Sequence, residues 1–207
     1  SYTGVNRVYD GSTDATVTTS DDRLGLDDLV IARTAEFTNK NVGVGKTVNV
    51  TGVSLSGLDV NNYTLASVTG TASASISKRA LTLSYSGMDK VYDGLVNASV
   101  LTDPTKGIGY VSGDALSVNL TAQFTDKNVA YNNASLIVPV DIVVSGVTLR
   151  GADAGNYNTS PTGTTSAKIT PKALAASIVG TIQKTYDGTT LAALTASDFS
   201  LTGFVTV

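Results

Sequence analysis

Cysteine, histidine and tryptophan are all absent from the sequence. Without cysteine the chain can form neither disulfides nor thiolate metal sites. Without histidine it cannot build a Ser-His-Asp or Cys-His catalytic arrangement. Of the hydrolytic sites considered, only a pair of catalytic carboxylates could be built from the residues present. We therefore predict that the protein is not an enzyme and that it has no catalytic, cofactor-binding or metal-binding residues.

Charged residues are scarce as well, at 15% of the chain, and the net charge is −3. A negative net charge, with no run of basic residues, argues against nucleic acids and other polyanions as binding partners. No apolar run approaches the ~18 residues of a membrane span, so membrane insertion is not expected. No signal peptide is visible at Ser1, although a targeting segment that had been removed would leave no trace.

Residues that favour exposed helices are nearly missing. Glu36 is the single glutamate, methionine occurs once, and glutamine occurs at Gln123 and Gln183 alone. Valine, threonine, isoleucine and tyrosine are plentiful, and these residues favour strands. The composition therefore predicts an all-β protein.

A Tyr-Asp-Gly sequence occurs three times, at residues 9–11, 92–94 and 186–188. Further landmarks follow it in the same order in the first two copies. They are Ala35–Val42 with Ala122–Val129, Val53–Tyr63 with Val147–Tyr157, and Ile76–Leu81 with Ile169–Leu174. The spacing between landmarks changes while the landmarks keep their length, which is how loops vary around a fixed set of strands. This recurrence predicts a repeat array.

Short stretches within each repeat alternate between apolar and polar residues, as in Thr71–Ser77. Such alternation, with turn signals about every ten residues, is typical of a small β-sandwich of immunoglobulin size. At Lys78–Arg79 and again at Pro171 the inward-facing set shifts by an odd number of residues, which indicates a stiff passage between domains. We therefore predict tandem immunoglobulin-like β-sandwich repeats arranged as an elongated rod.

The landmarks place a first repeat at residues 1–78, a second at 79–172 and an incomplete third at 173–207. Ser1 matches Ser84, which lies within a predicted strand, so the N-terminal strand of the first repeat is expected to be truncated. The third copy departs after Gly188, before any Phe or Asn-Tyr landmark. We expect it to form strands with open edges and to be the least protected part of the chain.

The Tyr-Asp-Gly sequence predicts a tight turn, because glycine tolerates positive φ and aspartate can bond to the backbone two residues on. We expect its tyrosine to bury the ring and pair the hydroxyl. The alternative makes Asp10, Asp93 and Asp187 ligands or acids. Tyr63 and Tyr157 follow a Gly-x-Asp turn and resemble the tyrosine corner of β-sandwiches, and the alternative for them is a platform on which sugars stack.

Lys40 and Lys127 lie among Asn and Asp residues. We favour a solvated turn for both, and the alternative is a covalent bond between lysine and Asn or Asp that a buried acid catalyses. Acidic residues gather at several turns, where solvation is again the expectation and calcium binding the alternative. These residues are Asp21, Asp22, Asp27, Asp28, Asp59 and Asp153.

Taken together, the landmarks resemble those of the YDG and "mostly β, glycine-rich" repeats of very large bacterial surface and secreted adhesins, including filamentous-haemagglutinin-like exoproteins. The resemblance covers residues 1–172 and the start of 173–207. It implies an extracellular or cell-surface location and a structural or interaction segment, a stalk that projects a binding region or supports cell–cell and biofilm-matrix contact. The implied partners are neighbouring repeats of the same chain, cell-surface or matrix glycans, and other adhesin copies.

A carbohydrate-binding module is the alternative function. The absence of tryptophan counts against it, because sugar sites usually stack on aromatic rings and tyrosine is the one abundant aromatic residue here. A glycan-binding screen distinguishes the two functions.

Overall fold

A computed structural model describes residues 1–206 of the protein. Its regular structure consists of strands, turns and four single-turn 3-10 helices at Val60–Asn62, Pro104–Lys106, Ala154–Asn156 and Ala196–Asp198. Residues 1–206 contain no α-helix, so the all-β class predicted from composition is confirmed. In the same range no helix has the length and apolar character needed to cross a membrane.

The strands are mostly short, and the longest contain the residues that build the core. In chain order they are β1 (Tyr2–Gly4), β2 (Arg7–Val8), β3 (Val17–Thr19), β4 (Val30–Phe37), β5 (Gly43–Ser56), β6 (Gly70–Ser77), β7 (Arg79–Ala80), β8 (Ser86–Gly87), β9 (Lys90–Val91), β10 (Val100–Leu101), β11 (Ser117–Phe124), β12 (Ala130–Tyr131), β13 (Ile137–Val138), β14 (Val140–Arg150), β15 (Tyr157–Asn158), β16 (Gly163–Ala167), β17 (Ile169–Thr170), β18 (Ala175–Ile178) and β19 (Phe199–Thr202).

The chain packs into two compact units. Unit 1 comprises residues 1–84, 102–120 and 146–161, and unit 2 comprises residues 85–101, 121–145 and those from 162 onward. Unit 1 thus contains the first repeat together with three segments of the second, 79–84, 102–120 and 146–161. The units are defined by contacts in the folded chain, whereas the repeat boundaries at 78 and 172 are defined by sequence landmarks. The units therefore do not test those boundaries, which stay a prediction.

Unit 1 is built on a four-stranded sheet in the order β2-β6-β5-β4. Strand β5 runs antiparallel to both of its neighbours, with Phe37 of β4 opposite Val48 of β5. Val48, Val50 and Ile76 are almost completely buried. Their neighbours Asn49, between the two valines, and Ser77, after Ile76, are exposed. This period-two burial is what the apolar alternation predicts.

Glycine allows the β1–β3 ladder of unit 1 to lie close to β6. A Cβ at Gly4 would lie 2.5 Å from the Ser73 carbonyl oxygen and 2.8 Å from the Ala74 Cβ, and one at Gly70 would lie 2.5 Å from the Tyr2 ring. No larger residue fits either position without moving backbone or ring. Glycine content in this chain therefore serves close packing as well as turns.

Unit 2 is centred on β14, which pairs antiparallel with β16 so that Val140 lies opposite Ala167. The contact between tyrosine and glycine recurs here, because a Cβ at Gly163 would lie 2.3 Å from the Tyr85 ring. Its buried apolar side chains are those of Phe124, Val140, Ile142, Val144, Ala167 and Ile169.

The described residues from 173 onward form one antiparallel pair, β18 with β19. Every residue of β18 is exposed, and Leu201 and Phe204 are exposed as well. The strands expected in this segment are confirmed, and its lower protection against hydrogen exchange stays a prediction.

Candidate functional site

Each Tyr-Asp-Gly sequence forms the predicted turn. The carboxylates of Asp10, Asp93 and Asp187 accept the backbone N–H two residues later, at 2.9 Å in every copy. The following glycine has a positive φ each time, of 84°, 79° and 71° in chain order. The turn predicted for the motif is therefore confirmed in all three copies.

A cation three residues before each aspartate completes the turn, and sequence reasoning missed it. The pairs are Arg7–Asp10, Lys90–Asp93 and Lys184–Asp187, with N–O distances of 2.5, 2.8 and 2.7 Å. In the first two copies the cation also lies 5.2 and 5.4 Å from the ring centroid of the repeat's phenylalanine, Phe37 or Phe124. The basic residue recurs at the same place in the sequence, and that recurrence was the available signal.

The tyrosine of the motif differs between the copies. Tyr9 is fully buried, Tyr92 is half-buried and Tyr186 is 94% exposed. The expectation of a buried ring is therefore correct for Tyr9, met only in part by Tyr92, and wrong for Tyr186. Tyr9 is buried because it packs against Tyr157 and bonds to Asp114, both in the following repeat, whereas the Tyr186 ring is surrounded by solvent.

The Tyr9 hydroxyl meets a buried carboxylate, that of Asp114. Tyr9 Oη lies 2.9 Å from Oδ1 and 2.8 Å from Oδ2 of Asp114, and Tyr157 Oη lies 2.6 Å from Oδ2. The two tyrosine rings meet edge to face, with centroids 5.5 Å apart. The interior carboxylate thus has two hydroxyl donors, which offset part of the cost of its burial.

Lys40 supplies the compensating positive charge. Its Nζ lies 2.8 Å from Asp114 Oδ1 and 2.9 Å from Asp153 Oδ1, and 5.8 Å from the centroid of the Tyr9 ring. We refer to Tyr9, Lys40, Asp114, Asp153 and Tyr157 as the junction cluster. The favoured interpretation of Lys40 and Asp153 as residues of solvated turns is wrong, because the two form an ion pair whose side chains are 35% and 13% exposed.

Asn156 makes a second polar connection beside the junction cluster. Its Oδ1 accepts the N–H of Val42 at 3.0 Å, and its Nδ2 donates to Oδ1 of Asn41 at 3.2 Å. The neighbouring Tyr157 Oη accepts the N–H of Val111 at 3.0 Å. The structural role expected of Tyr157 is therefore confirmed, but the bond is not that of a tyrosine corner, because it reaches a backbone amide 46 residues upstream and not one a few residues away.

Burial and pairing displace the pKa values of the cluster. Burial and the hydrogen bond to Asp114 raise the pKa of the Tyr157 hydroxyl, and burial raises that of Tyr9. Hydrogen bonds to Asp114 and Asp153 raise the pKa of the Lys40 ammonium, and the bond from Lys40 lowers the pKa of Asp153. The tyrosines are thus held neutral, while lysine and Asp153 are held charged.

The charge state of Lys40 bears on the covalent alternative. A bond from Lys40 to Asp114 would need a neutral amine as nucleophile, whereas the raised pKa keeps this amine protonated. The geometry is that of an ion pair with hydroxyl support, so the junction cluster is suited to non-covalent fastening of one repeat to the next.

Three of the acidic residues at other turns, Asp21, Asp27 and Asp59, are engaged by protein groups. Asp21 pairs with Arg23 at 2.7 Å, and that hydrogen bond lowers the pKa of Asp21 to about 2. Asp59 accepts the N–H of Asp28 at 2.8 Å. Within residues 1–206, no group of three or more Asp, Glu, His or Cys residues is placed to hold a metal ion. These turns offer no support for the calcium alternative.

The first repeat carries its own copy of the residues that receive Tyr9 and Lys40. By landmark alignment, Asp27, Asp59, Asn62 and Tyr63 correspond to Asp114, Asp153, Asn156 and Tyr157. The hydrogen bonds also match, because Tyr63 Oη donates to Asp27 and accepts the N–H of Leu24. The difference is burial: Asp27 and Tyr63 are half-buried and Asn62 is exposed.

The sequence model of the YDG domain matches residues 1–70 and 77–166. The chain belongs to the YDG domain family. No curated protein matches it significantly. All five residues of the junction cluster lie within the matched ranges. In this YDG protein the tyrosine of the Tyr-Asp-Gly turn therefore serves, in the first repeat, to contact the repeat that follows.

The displaced pKa values predict how the stability of unit 1 depends on pH. The lowered pKa of Asp153 stabilises the fold above its ordinary value of about 3.9, and this contribution is lost as the pH falls below that value. The raised pKa values of Tyr9, Tyr157 and Lys40 stabilise the fold below about pH 10, and these contributions are lost as the pH rises further.

We therefore expect a plateau of stability between about pH 5 and pH 9, with losses on both sides. Denaturant unfolding at a series of pH values measures this, and ultraviolet absorbance of tyrosinate shows whether buried tyrosines ionise only on unfolding. The Tyr157→Phe variant is the control, because its stability should fall less steeply above pH 10. An alkaline slope equal to that of the parent chain would contradict the assignment.

Proposed function

We propose that this YDG protein is a structural and interaction segment of an extracellular bacterial adhesin of the filamentous-haemagglutinin-like kind. In this proposal it acts as a stalk that projects a binding region or supports cell–cell and biofilm-matrix contact. The observation that carries the proposal is the junction cluster, which joins consecutive repeats through a buried carboxylate.

The junction cluster supports a load-bearing role because its members come from both repeats. Tyr9 and Lys40 belong to the first repeat, and Asp114, Asp153 and Tyr157 to the second. Removing either side would leave buried charge or hydroxyl groups without partners, which is costly in the protein interior. Such a connection resists the separation of neighbouring repeats. A spacer under tension requires this resistance.

The passage between the repeats supports the same role. Strand β7 pairs in parallel with β15, so the backbone of Arg79–Ala80 is held as well as its side chains. The Arg79 guanidinium donates to the carbonyl oxygens of Gly109 at 2.7 Å and Tyr9 at 3.3 Å. We propose that the repeats are immunoglobulin-like β-sandwiches in a rod, and that a held passage of this kind limits bending where they meet.

Single-molecule pulling tests the load-bearing role. We expect unit 1 to unfold in one cooperative step and the Asp114→Asn variant to unfold at lower force. The Asp27→Asn variant, at the matching position of the first repeat, should retain the parent force because Asp27 pairs with no lysine among residues 1–206. An unchanged unfolding force in Asp114→Asn would argue against the stalk. A glycan screen that finds binding to the folded chain would instead favour a carbohydrate-binding module.

A further inference from the structure

The stretch that begins at the tyrosine of the Asn-Tyr landmark, Tyr63 in the first repeat and Tyr157 in the second, has a different backbone structure in the two repeats. Tyr157–Asn158 forms β15, because Arg79–Ala80 pairs with it and Leu81 donates its N–H to the Asn158 carbonyl at 2.8 Å. The corresponding residues of the first repeat, Tyr63–Thr64, lie outside any strand. The first repeat therefore presents the backbone of this landmark without the strand that pairs with it in the second.

A groove lies beside that open backbone. In the second repeat Leu81 is 2% exposed and belongs to a buried cluster against which Leu116 and Leu149 pack. Their counterparts in the first repeat are Leu29 and Leu55. These two line a groove of about 600 Å³ together with Val53, Tyr63 and Thr64. The groove is thus lined by the counterparts of two residues that pack against the cluster containing Leu81.

Polar residues next to the groove match those of the junction cluster, and we call them its rim; Asp27, for example, accepts the hydroxyl of the groove residue Tyr63. Asp27, Asp59 and Asn62 correspond to Asp114, Asp153 and Asn156 of the second repeat. There, the two aspartates bind the Tyr9 hydroxyl and the Lys40 ammonium. The asparagine binds the backbone N–H of Val42 and the side chain of Asn41. Groove and rim together form what we call the open face of the first repeat. Its chemistry fits an extended segment with an apolar residue, accompanied by a tyrosine hydroxyl and an ammonium.

Unit 2 carries a segment with that chemistry. Leu174 corresponds to Leu81 and is 46% exposed, and Lys172–Leu174 lies outside any strand. Tyr92, Lys127 and Asn128 correspond to Tyr9, Lys40 and Asn41. Tyr92, Asn128, Lys172 and Leu174 line one cavity of about 450 Å³, and Lys127 is exposed. We call these residues the plug.

We propose that the open face of the first repeat binds the plug of a second copy of this chain, head to tail. The Lys172–Leu174 backbone adds a strand beside Tyr63–Thr64, Leu174 enters the groove, and Tyr92 and Lys127 contact Asp27 and Asp59. Strand addition to an open edge is a common mode of recognition. The inference rests on the proposed stalk function and names its partner as another copy of the same chain.

The pairing joins two different surfaces, so each bound copy still offers one open face and one plug. Head-to-tail contacts of this kind propagate into filaments or close into rings. We therefore expect the sedimentation coefficient of the chain to rise with concentration beyond the dimer. The Leu174→Asp variant should stay monomeric, while Val179→Asp, an equally exposed apolar position outside the plug, should associate as the parent does.

A mixing experiment isolates the proposed contact. Leu174→Asp lacks the plug and Leu55→Arg lacks the groove, so each should be monomeric alone. Mixed, they should form a one-to-one dimer and stop there, because Leu55→Arg offers the plug and Leu174→Asp the open face. A synthetic peptide spanning residues 169–177 should inhibit association of the parent chain, and the same peptide with aspartate at position 174 should not.

A parent chain that stays monomeric at millimolar concentration would overturn the proposal. So would association that survives Leu174→Asp, or a mixture that forms no dimer although circular dichroism shows both variants folded. None of these results would change the expected effect of Asp114→Asn on unit 1, so failure of this inference is distinguishable from failure of the proposed function.

Discussion

Replacing Asp114 with asparagine is expected to destabilise unit 1 by about 1.5–3 kcal/mol, the contribution of hydrogen bonds to a charged group, because Lys40 is 35% exposed and keeps its bond to Asp153. The substitution keeps the size of the side chain but removes its charge. Lys40 is then left facing an amide, and one of the positions that accepts hydrogen bonds from Tyr9 and Tyr157 becomes a donor. Urea unfolding measures the loss as a lower midpoint with an unchanged denaturant slope.

The matched control is Asp27→Asn, which changes the same position of the first repeat. Asp27 accepts a hydrogen bond from Tyr63 but lies half-buried and receives no lysine among the described residues, so stability should change little. A Lys40→Met variant should cost nearly as much as Asp114→Asn, and the double variant much less than the sum of the two. Equal losses of stability in Asp114→Asn and Asp27→Asn would show that the junction cluster does not stabilise unit 1 more than the matching residues of the first repeat do.

Replacing Tyr9 with alanine should cost about 3–5 kcal/mol, the range for truncating a large aromatic residue in a core. Tyr9 is fully buried, packs edge to face on Tyr157 and donates to Asp114, so the variant loses packing and a donor together. Tyr9→Phe separates the two, because it keeps the ring and removes the hydroxyl. We expect Tyr9→Phe to cost about 1–3 kcal/mol, the cost of a buried acceptor losing its donor.

The other two copies of the motif provide internal controls. Tyr186→Ala should lie within about 0.5 kcal/mol of the parent, as for other exposed positions, because the ring is 94% exposed. Tyr92→Ala should fall between the two, since Tyr92 is half-buried. The same substitution in the same motif should thus have three different effects. A similar cost at all three positions would mean that the tyrosine acts within its own turn.

Local features were predictable from the sequence because they depend on neighbouring residues. The turn at Asp10-Gly11 needs a glycine that tolerates positive φ and a carboxylate two residues from its amide partner, and both are visible in the chain. Strand β5 could be expected from the alternation of residues such as Val48 and Val50. For the same reason the turn holds even in the incomplete third copy.

The junction cluster was not predictable in this way. The residues around Lys40 and Asp153 indicate solvated turns, and no local motif marks Asp114, because each lies in a segment rich in turn residues. Alignment of the two copies would have matched Asp27 with Asp114, which is the signal that was available. It would not have shown that only one of the two aspartates is buried against a lysine.

The sequence by itself determined the all-β class, the order of the landmarks and the three turns, since these follow from propensity, alternation and contacts within a few residues. Only the tertiary structure decided which Tyr-Asp-Gly tyrosine is an anchor. Tyr9 and Asp114 lie 105 residues apart in the chain, and the burial of Tyr9 comes from a second repeat folded against the first. The free energy of such a contact depends on what surrounds it, which an identical motif cannot reveal.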